Sequence, residues 1–236
     1  MPAKKILVSG VMLLLPSLAL VATPSAVAAA TLPKVTVRVE GKTKTLLATT
    51  SVQTHSGWIT KFGAPTRACP ATSGQGALSD ATHGNWKGSY SSTYDEYLIT
   101  QILGETESGT KEYWEIFVNN VAAATGACQI KLHTGDQLLF AAVPSTGKAQ
   151  TPLGISAPAH AAQGKAFRVK VVGYNAKGKP RPLAGATVSA GGTTARTNAS
   201  GVATVTDKSP GRFVLTAKDT GYIRTEADVD VTPVAY

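Results

Sequence analysis

Between residues 34 and 40 the chain reads "KVTVRVE", in which Val35, Val37 and Val39 alternate with Thr36, Arg38 and Glu40. A two-residue period marks a strand with one buried face. Gly41 interrupts it before "KTLLATTSV", which predicts a first hairpin. Residues 72–84, "TSGQGALSDATHG", break the rhythm: Thr72 or Ser73 can cap a helix, Ala77, Leu78 and Ala81 share one side of it, and Gly84 stops it. Two internal glycines keep that helix short and weak. Strand patterns return in "EYLITQIL", "EYWEIFV" and "GDQLLFAAV". Hairpin, helix and further strands predict a small α+β domain over residues 31–144.

The pattern then lapses in "PSTGKAQTPLG", and residues 145–152 are expected to be a linker. From residue 153 onward only strands are predicted. "KAFRVKVVGY" sets Phe167, Val169 and Val171 against Arg168 and Lys170, and "GRFVLTA" and "EADVDV" alternate in the same way. Short strands punctuated by "AKGKPRPLAG", "SAGGTT" and "NASG" predict an all-β sandwich over residues 153–236.

Ahead of these regions, Lys4 and Lys5 precede the apolar run "ILVSGVMLLLPSLALVA" and the small-residue stretch "TPSAVAAA". That order is the pattern of a secretory signal peptide, expected over residues 1–30, so the protein is expected to be secreted and extracellular. No later apolar stretch reaches the length of a spanning helix. The formal net charge is +9, and residues 151–236 carry 11 Lys and Arg against 5 Asp and Glu. These basic residues are dispersed and lack interleaved aromatics, so a nucleic-acid groove is not expected.

Two resemblances follow from longer stretches. The span "ACPATSGQGALSDATHGNWKGS", with "YWEIFVNN", "GAC" and "GDQLLF", resembles the small β-grasp-type domain of unknown function related to the C-terminal domain of transcobalamin and intrinsic factor, over residues 34–144. The resemblance implies an α+β β-grasp-like fold. In that family the β-domain completes a corrinoid site whose other wall is a helical barrel. This chain has no segment for such a barrel, and the matching positions are turn and core residues, so no corrinoid contact carries over and no cofactor is expected. The span "PLAGATVSAGGTTARTNASGVATVTDKSPGRFVLTAKDTGYI" is similar to bacterial immunoglobulin-like and carboxypeptidase-regulatory-like modules, over residues 153–232, which implies a spacer or adhesion unit.

Candidate chemistry is sparse. Cys69 and Cys128 are the only cysteines, an even count in a chain read as exported, and a disulfide is expected between them. His55, His83, His133 and His160 are scattered without metal-ligand spacing, so no metal site is expected. Asp95 and Glu96 are adjacent and would point to opposite faces of a strand, which does not make a glycosidase acid pair. No catalytic constellation is legible.

Aromatic residues supply the binding candidates. In "GNWKGSYSSTYDEY", Trp86, Tyr90 and Tyr94 lie in a Gly- and Ser-rich connection, where exposed rings could stack on a ligand; the alternative is that they cover the sheet and pack a long loop in place. On "YWEIFV", Trp114, Ile116 and Val118 share a face expected to be core, and "NN" after it suits a tight turn. The expectation is a secreted, non-catalytic binding or adhesion-type protein, recognising an extracellular ligand such as a glycan or cell-wall component through Trp86, Tyr90 and Tyr94. The alternative is a carbohydrate-active enzyme or its accessory carbohydrate-binding module.

Overall fold

The computed structural model describes residues 31–234; the expected signal peptide lies outside the described residues. In the first lobe, β1 (Lys34–Glu40) and β2 (Thr45–Gln53) form the hairpin that the valine alternation requires, and β3 (Trp58–Ile59) pairs with β4 (Cys69–Pro70). Helix α1 (Gly74–Ala81) follows, with the Ser73 hydroxyl capping the Gly76 N–H and His83 and Gly84 at positive φ ending it. Strands β5 (Trp86–Ser91), β6 (Glu96–Ile102) and β7 (Glu105–Thr106) make a three-stranded antiparallel sheet. Strand β8 (Glu112–Val118) turns through Asn119 and Asn120, both at positive φ, into β9 (Val121–Ala122). A 3₁₀ turn, Ala127–Gln129, precedes β10 (Gln137–Pro144). The main sheet runs β2-β1-β10-β8-β9, with β10 parallel to β1 and antiparallel to β8.

This corrects the α+β β-grasp-like expectation. Among the described residues the only α-helix is eight residues long, and the rest of the regular structure is strand apart from the single 3₁₀ turn. Gly74 and Gly76 weaken the one helix, His83 and Gly84 end it, and the alternating β-branched and aromatic segments on either side all take the extended form. The fold is almost entirely β.

The second lobe is all-β. Its strands are β11 (Thr151–Ser156), β12 (His160–Ala162), β13 (Ala166–Tyr174), β14 (Pro180–Pro182), β15 (Thr187–Ala190), β16 (Thr193–Arg196), β17 (Val202–Thr206), β18 (Gly211–Lys218), β19 (Tyr222–Ile223) and β20 (Thr225–Thr232). One sheet runs β14-β13-β11-β19, with β17 also on β13; the other runs β12-β20-β18-β15-β16. Val169 and Val171 from the first sheet share one core with Val188, Leu215 and Val229 from the second, so the two sheets pack face to face. The connection between lobes is shorter than expected from sequence, because Thr151 and Pro152 already belong to β11.

The lobes do not hang on this connection alone. Phe117, Leu139, Ala141 and Val143 on the back of the main sheet pack with Ile223 of the second lobe in a small buried cluster. Beside it, Arg224 reaches into the turn after β1. Its Nε donates to Glu40 Oε2 at 2.9 Å, and its Nη2 donates to the carbonyls of Gly41 and of Lys44. Arg38 Nη1 donates in return to the Arg224 carbonyl at 3.1 Å and lies 3.3 Å from Glu40 Oε1. Glu40 is 1% exposed, and burial pushes its carboxyl above the usual range against the pull of Arg38, Thr45 and Arg224.

Removing the guanidinium therefore leaves a buried carboxylate with only Arg38 and the Thr45 hydroxyl to offset it. Arg224→Ala should lower the stability of the full chain by about 3 kcal/mol, and adding Glu40→Gln should recover part of that loss. Urea unfolding of the two variants checks this; equal losses would mean that Arg224 acts through packing alone.

Candidate functional site

Trp86, placed by sequence among the ligand contacts, is 1% exposed. Its ring is enclosed edge-to-face by Phe62 at 5.3 Å and Tyr97 at 5.1 Å, with Lys61 Nζ 4.6 Å from the ring centroid. Lys61 Nζ is held there by the carbonyls of Gly84 and Trp86. The Gly- and Ser-rich segment around it is strand β5, not an open loop, and its pairing with β6 turns Trp86 inward. Tyr90 is half-buried against Tyr97 at 5.3 Å, and its hydroxyl donates to Asp95 Oδ1 at 3.0 Å. Of the three aromatics only Tyr94 is on the surface, 73% exposed on the β5–β6 turn. Trp86 is thus a core residue, and the three rings do not form one face.

Tyr94 instead stands at the rim of a cleft of about 520 Å³ whose walls are β6, β8 and the loop 123–127. Residues 96–99 of β6 and 113–116 of β8 all line it. Successive side chains of a strand point to opposite faces, so four consecutive residues can line one cleft only where the strand edge itself forms the wall. Trp114 and Ile116 also pack against the first-lobe core, while Leu98 is 66% exposed and Tyr113 42% exposed. Apolar and aromatic groups dominate the lining, as is usual for a ligand site.

Glu96 fixes one wall. Its carboxylate accepts from the Tyr97 N–H at 2.8 Å and from the Cys128 N–H at 3.0 Å. Gly126 makes this possible, because a Cβ there would sit 2.1 Å from Glu96 Oε2. Burial raises the carboxyl of Glu96 above the ordinary glutamate range, and the backbone N–H groups offset only part of this. On the opposite wall the Tyr113 hydroxyl donates to Glu115 Oε2 at 2.7 Å; this bond and then burial raise the tyrosine.

The expected disulfide is present: Cys69 and Cys128 are joined across a separation of 59 residues with Cα atoms 5.0 Å apart. Closing a loop of that length contributes roughly 4 kcal/mol by the chain-entropy estimate. The bridge anchors the 3₁₀ turn beside Glu96 to the chain entering α1. Among the described residues no group of three His, Cys, Asp or Glu is placed to hold a metal ion.

Sequence reasoning missed Leu98, Tyr113 and Glu115. The available signal was Leu98 itself, an apolar residue beside Tyr97 on an alternating strand where the tyrosine takes the inward position. A family described as a domain of unknown function (DUF4430) matches residues 76–142, which contain every residue lining the cleft. Among curated proteins, none matches the chain.

Trp86→Ala should cost about 3–5 kcal/mol in urea unfolding, as a large core truncation does, whereas Tyr94→Ala should stay within about 0.5 kcal/mol. Equal effects would contradict the placement of the two rings. Glu96 binds its proton more readily folded than unfolded, so its contribution is fully favourable below the ordinary glutamate range of about 4.3 and is lost as pH rises through the raised folded value. Thermal melts over that window at constant ionic strength should show the unmodified chain losing stability relative to Glu96→Gln as pH increases. A flat difference, or one of opposite slope, contradicts the burial of Glu96.

Proposed function

We propose that this is an exported, non-catalytic binding protein whose recognition element is the cleft between β6 and β8, with the second lobe as a rigid extension. The observation that carries the reading is a preformed apolar cleft, rimmed by the exposed rings of Tyr94 and Tyr113 and floored by Trp114. The disulfide supports an oxidising, extracellular setting, in keeping with the signal-peptide pattern of residues 1–30. The affiliations we infer are with the transcobalamin and intrinsic factor C-terminal domain for residues 34–144, and with bacterial immunoglobulin-like modules for residues 153–232. The family match over residues 76–142 falls inside the first span, and the two sheets around one core in the second lobe agree with the second.

The enzymatic alternative would draw on Glu96 and Glu115, which line the same cleft, since carboxylates in a cleft can serve as acid and base. The bonding of Glu96 argues against it. Its oxygens accept backbone N–H groups of Tyr97 and Cys128, which commits the carboxylate to holding the wall.

The test is a ligand panel of glycans, cell-wall polymers, peptides and amphiphiles, titrated into the full chain by calorimetry, with turnover measured in parallel. Binding should weaken several-fold on Tyr94→Ala, in line with about 1 kcal/mol for a stacked ring, with the fold unchanged. Turnover of a glycoside or ester that disappears on Glu115→Gln would replace this reading with the enzymatic one.

A further inference from the structure

Strand β8 has one edge fully paired with β10, from Val118 opposite Leu138 to Glu112 opposite Pro144. Its other edge is covered only at the ends. The Ile116 carbonyl accepts from the Ala123 N–H at 2.8 Å, and the Glu112 carbonyl accepts from the Gly109 N–H at 2.9 Å. In an antiparallel strand the backbone groups of alternate residues point to the same side, so Trp114, midway between these two, turns its N–H and C=O the same way. Among the described residues neither group has a backbone partner. The gap opens on the cleft, and the edge of β6 faces it from the other wall.

Trp114 is 8% exposed and lines the cleft, and its indole Nε1–H is buried without a hydrogen-bond partner. A buried donor left unpaired is costly and is normally satisfied. The charge of the cleft is also one-sided. Its lining holds Glu96 and Glu115 and no Lys, Arg or His, on a chain whose formal net charge is +9. With Glu96 bonded to backbone N–H groups and Glu115 Oε2 to Tyr113, Glu115 Oε1 is the carboxylate oxygen left for a ligand. The rings of Tyr94 and Tyr113 beside it present electron-rich faces, which favour an ammonium or guanidinium group.

We infer that the cleft takes a short extended peptide carrying a lysine or arginine, which adds as a strand to the open edge of β8 and sets its cationic side chain against Glu115 and the tyrosine rings. This rests on the cleft being a binding site and specifies its ligand. Main-chain bonds to Trp114 supply affinity in the manner of strand addition, and the acidic aromatic rim supplies the selection for a basic side chain.

The test uses a labelled peptide, Thr-Lys-Val-Lys-Thr blocked at both ends, titrated into the full chain by anisotropy and by amide chemical-shift mapping. Its companions replace both lysines by glutamate, methylate alternate backbone nitrogens, or reduce the ligand to n-butylammonium. The lysine peptide should shift the Trp114 amide and indole resonances. The glutamate peptide should bind about tenfold more weakly, and the N-methylated peptide about fivefold more weakly. Glu115→Gln should narrow the difference between the lysine and glutamate peptides without altering the melting temperature by more than about 2 °C.

Unchanged affinity on N-methylation, or equal competition by butylammonium alone, overturns strand addition. Equal affinity for the lysine and glutamate peptides overturns the charge selection. If no peptide binds but another ligand shifts the cleft resonances and depends on Tyr94, this inference fails and the cleft remains a binding site. If no ligand shifts them, both readings fail.

Discussion

Burial of β10 on both of its faces is the constraint on which the rest of the structure depends. Leu138 and Phe140 point into the first-lobe core, while Leu139, Ala141 and Val143 point the other way into the cluster completed by Ile223. A strand of one small sheet would ordinarily leave one face to water, and its sequence would alternate. "QLLFAAV" does not alternate, because each parity has its own apolar environment. The parallel pairing of β10 with β1 places Glu40 at the sheet margin, where Arg224 meets it. The same strand carries β8 on its other side, so the wall of the cleft is held by the element that also binds the second lobe.

A second lobe packed in this way is more than a passive spacer. Truncation near residue 150 would bare Phe117, Leu139 and Val143 and leave Glu40 without Arg224. An apolar patch of that kind on a first lobe alone is an aggregation liability, so the first lobe is not expected to behave as an independent binding unit.

Much of the strand content was legible because it is written locally. The valines of β1 and the Phe167, Val169 and Val171 series of β13 are buried as their alternation requires, and the one helix lies where Ser73 and Gly84 delimit it. The overall class of the first lobe was not legible, because a single helical segment looks like half of an α+β pattern until its length is weighed against ten strands. Trp86 was misplaced for a similar reason. Glycine and serine around it suggest a loop, and its cover comes from Tyr97 across the β5–β6 hairpin and from Phe62, which lies outside that stretch of sequence. The cleft depends on two strands that are not paired with each other, so its existence is a property of topology. Only the pairing of the disulfide was open to simple arithmetic, since Cys69 and Cys128 had no other partners.

The bridge has a consequence beyond stability. Cys128 is both half of the disulfide and the donor of a backbone N–H to Glu96, and Gln129 next to it donates to the Tyr94 carbonyl at 2.9 Å. One covalent bond therefore sets the distance between the helix side of the lobe and the rim that carries Tyr94. The shape of the cleft is tied to the redox state of its surroundings: where thiols stay reduced, the rim rests on hydrogen bonds alone, and where they are oxidised it is part of a closed covalent ring.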